Sequence, residues 1–151
     1  MHLAIHLQRQ LLELIDGPRP FSAPISSGAA GIGFEDGSGR TPTGHFSIRS
    51  KHGENAPLQT CFRGRLPVGL LSGKESGNRS GDAILARILT LDGQDPANAN
   101  TLARCIYIHG TAHTEQLGSP ASHGCIRMSP EAIAELYELT PIGTPVLIST
   151  D

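Results

Sequence analysis

Tryptophan is absent from the sequence, and aromatic residues make up only 4% of it. Proteins that bind single-stranded nucleic acid usually offer aromatic rings on which the bases stack. The formal net charge is -2 and the isoelectric point is about 6.4, so the chain also lacks the basic surplus that attracts phosphates. These absences argue against a nucleic-acid partner.

Long apolar runs are also missing. None approaches the roughly 20 residues that a membrane helix needs, so we expect no membrane partner. The first 15 residues carry no Lys or Arg before their apolar part, and His6 and Arg9 interrupt it, whereas a secretory signal has an uninterrupted apolar centre. We therefore expect a cytoplasmic protein, or a periplasmic or extracytoplasmic one if the sequence has been trimmed.

Cysteine is scarce: the chain holds only Cys61, Cys105 and Cys125. An odd number cannot form a complete intrachain disulfide framework, and a reducing compartment fits such a chain. At least one thiol should therefore be free.

Glycine and proline, in contrast, are plentiful, with 18 and 11 residues in a chain of 151. This composition favours a turn-rich β fold, and the length fits one domain, which we assign to residues 1–151. Alternating or apolar segments predict strands, and an N-terminal β-meander is expected with a turn at Asp16-Gly17. These predicted strands are 3–7, 9–15, 20–27, 46–48, 104–109 and 146–148.

The centre of the chain is harder to interpret. Residues 49–80 are rich in Gly, Asn, Ser and Pro, which predicts long loops. Residues 83–91 are apolar throughout and fit either a helix or a strand. The Asp92-Gly93 turn signal favours a strand. One helix is predicted after residue 129, because Ser129 is a good N-cap and Pro130 suits the first helical position.

Residues 108–128 hold His109, His113, His123 and Cys125. A thiol becomes a good nucleophile as a thiolate, and a nearby imidazole can take its proton. His109 ends a predicted strand, so it could face Cys125 across a pocket while its second nitrogen bonds the carbonyl of Gly110. Amides beside Cys125 could then stabilise an oxyanion.

The same cluster of side chains fits two alternatives. The three histidines and Cys125 could bind zinc, although Gly110 after a strand is a poor start for the helix that would pair His109 with His113. A non-catalytic peptide-binding domain is the second alternative. Cys61 and Cys105 are interpreted as structural or surface residues.

The run Ser122-His123-Gly124-Cys125-Ile126-Arg127-Met128, preceded by Ile108-His109-Gly110-Thr111, resembles the catalytic motif of the L,D-transpeptidase family, the YkuD domain. Residues 41–46, Thr41-Pro42-Thr43-Gly44-His45-Phe46, resemble a second family motif near the site. The resemblance covers most of the chain. It implies a mainly β, YkuD-like sandwich or barrel with one short helix after the nucleophile.

The resemblance also implies roles for site residues. Cys125 would be the nucleophile, His109 the general base, and Gly110 the residue whose carbonyl orients the base. Arg127 would bind a substrate carboxylate, and a surface salt bridge is the alternative role for it. The oxyanion and substrate region would be lined by Ser122, His123 and Gly124.

In this family Cys125 would cleave the L,D bond between the third residue and D-Ala of a peptidoglycan stem tetrapeptide, through a thioester that carbapenems should also form. Water as acceptor would give an L,D-carboxypeptidase, and an amine would give 3-3 cross-links. Because no export signal is evident, we favour a cytoplasmic carboxypeptidase that recycles muropeptides. We expect it to be a monomer that needs no metal or other cofactor.

Overall fold

The computed structural model describes residues 1–70 and 84–151. These residues form ten strands and one α-helix, so the prediction of a mainly β fold with one late helix is confirmed. In chain order the elements are β1 (His2–His6), β2 (Leu11–Ile15), β3 (Phe21–Pro24), β4 (Gly44–His52), β5 (Thr60–Arg63), β6 (Leu66–Leu70), β7 (Ile84–Gly93), β8 (Tyr107–Gly110), β9 (Ile126–Met128), α1 (Pro130–Leu139) and β10 (Pro145–Ser149).

All ten strands belong to one curled sheet. Its main path runs β3-β2-β1-β10-β4-β7-β5-β6, and β8 branches from β7 to pair with β9. The predicted N-terminal meander is confirmed as the antiparallel set β1 to β3. Two pairs are parallel, β1 with β10 and β8 with β9, and the second pair positions the cysteine and histidine of interest.

The core packs against this sheet. Buried and less buried side chains alternate along β2 and β10, as expected of strands with one face on a core, whereas β7, β8 and β9 are buried along most or all of their length. Leu3, Ile5, Ile108 and Ile126 are fully buried there. The helix α1 packs on β7 and β8 with an apolar stripe that follows its 3.6-residue period. In the described parts of the chain, no helix is both long and apolar enough to span a membrane.

The helix begins where the sequence predicts. Ser129 accepts a hydrogen bond from the backbone N–H of Ala132 at 3.1 Å, and Pro130 occupies the first turn. A serine in this position satisfies one of the N–H groups that lack a partner within the helix. Because β9 ends only two residues earlier, this cap fixes the helix directly behind the cysteine-bearing segment.

The prediction of long loops over residues 49–80 is wrong for part of that range. β4 continues to His52, and β5 and β6 form a hairpin with its turn at Gly64-Arg65. Gly64 adopts φ 62°, the left-handed conformation that glycine reaches at little cost. Short turns and long loops are rich in the same residue types, so composition alone does not distinguish two strands joined by a turn from one long loop. Residues 71–80 lie outside the described part of the chain.

The predicted hairpin turn at Asp92-Gly93 is also wrong, because β7 runs through both residues and pairs Gly93 with Phe46. Glycine is needed there for another reason. A Cβ on Gly93 would clash with the backbone oxygen of Asn98. Asn98 is buried and donates from Nδ2 to the carbonyls of Thr43 and His45, each at 3.1 Å, so the glycine permits a close crossing of two backbones.

Candidate active site

The site is built on the parallel pair β8 and β9, in which His109 is registered with Arg127 and Ile108 with Ile126. The isoleucines belong to the main core. Because side chains alternate along a strand, His109 and Arg127 project from the opposite face. Cys125 directly precedes β9, two positions before Arg127, so continued alternation directs its thiol to the face that carries His109.

The thiol of Cys125 lies against the backbone of the segment that leads into β8. The N–H of Tyr107 donates to its Sγ at 3.3 Å, and Sγ is also 3.3 Å from the carbonyl oxygen of Cys105. The N–H of Tyr107 stabilises the negative charge that a thiolate carries, whereas the carbonyl of Cys105 accepts a hydrogen bond from the neutral thiol. Cys125 is only partly buried, so a substrate carbonyl can approach the sulfur.

His109 is held in one orientation by the backbone carbonyl of Gly110. It is 2% exposed, and its Nδ1 lies 2.7 Å from the carbonyl oxygen of Gly110, the contact that the sequence analysis predicts. If Nδ1 carries the proton and donates to this carbonyl, Nε2 keeps the lone pair. This is the tautomer in which an imidazole can accept a proton through Nε2.

A tight turn from Ser122 to Cys125 presents the thiol. The Ser122 hydroxyl donates to the carbonyl of Cys125 at 2.6 Å and accepts from the N–H of Gly124 at 3.1 Å. Gly124 has φ 121°, which L side chains rarely adopt. The N–H of Gly124 is therefore directed at Ser122, and the predicted oxyanion role of Gly124 and Ser122 stays a prediction.

Thr41 supports this turn from the opposite side. Its side chain is fully buried, donates to the carbonyl of Gly124 at 2.9 Å and accepts from the N–H of Gly28 at 2.8 Å. The bonded carbonyl belongs to the peptide whose nitrogen is that of Cys125. The expectation that residues 41–46 lie near the site is thus confirmed for Thr41, whereas its hydrogen bonds could not be predicted from the sequence.

Arg127 and His123, two further predicted site residues, occupy different environments. Arg127 is 3% exposed and its NH1 donates to Oε1 of Gln116 at 3.0 Å, so it is an interior residue and not the surface residue that the alternative interpretation assumed. His123 is exposed. Nδ1 of His113, the third histidine of the 108–128 segment, lies 3.4 Å from Oε1 of Glu115. Contacts of Arg127 and His123 with a substrate stay predictions.

Sequence reasoning missed the aromatic surroundings of the thiol. Cys125 packs against a small cluster formed by Phe62, Ile88 and Tyr107. Burial, a hydrogen bond with the side chain of Cys105 and the negative charges of Cys105 and Cys125 in their thiolate forms raise the pKa of Tyr107 to about 12. The phenol is consequently neutral at physiological pH. In the sequence, only the alternation of Tyr107 with Ile108 indicates that Tyr107 lies on the opposite face of the strand from the main core.

The described residues, 1–70 and 84–151, contain no group of three His, Cys, Asp or Glu side chains that could hold a metal ion. All four residues of the zinc alternative fall within these ranges. Structural zinc needs four such ligands around one point, so the zinc alternative is not supported.

Comparison with known proteins places this geometry in a family. The model of the L,D-transpeptidase catalytic domain, YkuD, matches residues 1–148. The chain belongs to the L,D-transpeptidase family. Among curated relatives of this L,D-transpeptidase domain is YqjB of Bacillus subtilis strain 168, whose name assigns it provisionally to the same enzymes. It is 43% identical over 51 residues, which are 34% of this chain and 29% of YqjB.

Solved structures agree on the fold. An L,D-transpeptidase from Xylanimonas cellulosilytica has a TM-score of 0.61 at 21% identity, and one from Mycobacterium smegmatis has 0.59 at 16%. The superpositions cover 97% and 98% of this chain but only 59% and 58% of the two solved chains. The domain therefore spans less than two thirds of the length of these structures.

Proposed function

We propose that this L,D-transpeptidase domain is a cysteine acyl-transfer enzyme that cleaves the L,D bond of peptidoglycan stem peptides. Membership of the family supports a peptidoglycan transpeptidase-type function. The observation that carries the finer proposal is the adjacency of β8 and β9, which directs His109 and Cys125 to the same face, with Nδ1 of His109 at the Gly110 carbonyl.

The first half-reaction transfers the acyl group to sulfur. His109 accepts the thiol proton through Nε2, and the Cys125 thiolate attacks the carbonyl carbon of the third stem residue. The tetrahedral intermediate expels the amine of D-Ala, which takes the proton back from the imidazolium. The products are free D-Ala and a thioester between Cys125 and the remaining peptide.

The second half-reaction determines the type of enzyme. If His109 activates water, the thioester is hydrolysed and a tripeptide is released; if it activates an amine, a new peptide bond forms. Hydrolysis, as by a monomeric cytoplasmic carboxypeptidase in muropeptide recycling, is the variant that we propose. It stays a prediction that the reaction products test.

The buried supports have separate tasks in this mechanism. Ser122 and Thr41 both bond the turn that carries the nucleophile, whereas the Gly110 carbonyl selects the tautomer of the base. A preorganised arrangement of this kind lowers the barrier because the groups need not reorient during the reaction.

The test is mass spectrometry of the purified protein incubated with a soluble stem tetrapeptide. We expect tripeptide and free D-Ala, and a trapped adduct on Cys125 when a carbapenem replaces the peptide. A Cys125→Ala variant should show neither product nor adduct. Cys105→Ala is the matched control, because it also removes one thiol and its carbonyl still contacts residue 125.

Each outcome has a distinct meaning. Tripeptide supports hydrolysis, and a cross-linked dimer or exchange with an added D-amino acid supports transfer. Full activity in Cys125→Ala, or none in the wild type with tetrapeptides of either third residue, diaminopimelate or lysine, would overturn the proposal.

A further inference from the structure

A cavity of about 410 Å³ adjoins the aromatic cluster against which Cys125 packs. Its walls come from the end of β4, the following loop, the β5–β6 hairpin and α1. Two aromatic rings, those of Phe62 and Tyr137, are among its lining groups. The other lining residues are Lys51, His52, Gly53, Glu54, Ala56, Arg65 and Pro67.

The cavity and the nucleophile share a wall. Phe62 lines the cavity, and it also packs in the cluster with Ile88 and Tyr107 that Cys125 contacts. Phe62 therefore connects the cavity to the cluster that surrounds the thiol. A substrate whose carbonyl lies at Cys125 can extend a long side chain past this ring.

Charges of both signs border the cavity. Burial lowers the pKa of His52, and the positive charge of Arg65, at the hairpin turn, lowers it further. Arg65 lines the cavity, and its positive charge also opposes the rise in the pKa of Tyr107, a member of the cluster that Cys125 contacts. The carboxylate of Glu54 adds to the effect of burial in raising the pKa of Tyr137, and it therefore lies near the phenol that forms another wall.

Lys51 has a structural task instead. Its Nζ donates to the carbonyls of Tyr137 and Thr140 at 2.7 and 2.9 Å and lies 4.2 Å from the centroid of the Tyr137 ring. It thus stabilises the C-terminal end of α1, where a cation also interacts favourably with the helix dipole. The pair that can meet a ligand is accordingly Arg65 with Glu54.

We propose that this cavity recognises an amino-carboxylate head at the end of the side chain of the third stem residue, as in diaminopimelate. The inference rests on the proposed function of Cys125. Arg65 binds the carboxylate, for which a guanidinium has the matching geometry. Glu54 binds the ammonium group. A lysine at the third position offers the ammonium group alone, so Arg65 is the residue that discriminates between the two substrates.

A free D-amino acid that acts as acceptor carries the same head, so the experiment must separate the two sources. Two soluble tetrapeptides that differ only at the third residue, diaminopimelate or lysine, are compared as donors by kcat/KM for D-Ala release. Exchange with a free D-amino acid is measured separately. The variants are Arg65→Ala and Glu54→Gln, and Arg63→Ala is the control because it removes an exposed arginine from the same hairpin.

We expect the wild type to prefer the diaminopimelate peptide. Arg65→Ala should lower kcat/KM for that peptide about tenfold, as for loss of one charge-assisted hydrogen bond, and should leave the lysine peptide unchanged. Glu54→Gln should lower both, and Arg63→Ala neither. Equal turnover of both peptides by wild type and Arg65→Ala would overturn the inference while leaving the proposed function intact. A loss confined to D-amino-acid exchange would assign the cavity to the acceptor and overturn it as well.

Discussion

Replacing Thr41 by valine tests how the nucleophile is positioned. Valine has nearly the shape of threonine but no hydroxyl, so the change removes two buried hydrogen bonds without opening a cavity. The carbonyl of Gly124 loses a donor at 2.9 Å, and the N–H of Gly28 loses an acceptor at 2.8 Å. Because Thr41 is fully buried, water cannot easily replace either bond.

An unsatisfied buried donor or acceptor costs about 1–3 kcal/mol. Two such groups, partly relieved by local rearrangement, should lower the free energy of unfolding by about 2–4 kcal/mol, measured by urea denaturation. The same change frees the peptide between Gly124 and Cys125 to rotate. A misplacement of the nucleophile that raises the barrier by about 1.4 kcal/mol lowers kcat tenfold, so we expect at least that loss in D-Ala release.

Two variants make the reasoning refutable. Thr41→Ser keeps the hydroxyl and should retain most of kcat. Thr43→Val is the control: it makes the same change in a neighbouring side chain and leaves the backbone carbonyl of residue 43, the acceptor for Asn98, unaffected. If Thr41→Val matches Thr41→Ser in both stability and kcat, the two hydrogen bonds do not position the nucleophile.

Two further predictions concern pH and the base. The N–H of His45 donates to Asp95 and lowers the pKa of that carboxyl from 3.8, so the ionised form stabilises the fold and its contribution disappears as the pH falls through the lowered value. Wild type should therefore lose its stability advantage over Asp95→Asn below pH 3.8 in thermal melts, and a constant difference would contradict this. A Cβ on Gly110 would lie 2.5 Å from the carbonyl oxygen of Leu85, so Gly110→Ala should lower the free energy of unfolding, measured by urea denaturation, by about 1–3 kcal/mol. The same change should reduce kcat, because it displaces the carbonyl that accepts from His109. An unchanged kcat would show that this carbonyl does not orient the base.

The strands that sequence patterns predict best are those that alternate between a core face and another face. Ile106 and Ile108 alternate with Tyr107 and His109, and β8 includes three of these residues, Tyr107, Ile108 and His109. Its start could not be predicted, because Cys105, expected on the strand, adopts φ 60° in the preceding turn. Nothing in the identity of a cysteine signals a left-handed backbone.

For the candidate site, residue types predict the chemistry but not the supports. A histidine, a glycine carbonyl and a cysteine can be proposed together because each has a defined part in thiol catalysis. The hydrogen bond from Thr41 to Gly124 joins residues 83 positions apart, and only the folded sheet determines that distance. The position of Arg65 in the cavity wall likewise depends on how the β5–β6 hairpin folds, so it could not be predicted from the sequence.

The parallel pairing of β1 with β10 constrains the order in which the molecule can fold. β10 lies between β1 and β4 in the sheet, so β1 can complete its pairing only after β10, which is far along the chain, has been synthesised. Contacts between such distant parts of a chain form slowly, because closing a long loop costs entropy before the contact is gained. The meander of β1 to β3 can form early from local contacts, but its union with the rest of the sheet must wait until β10 has been synthesised.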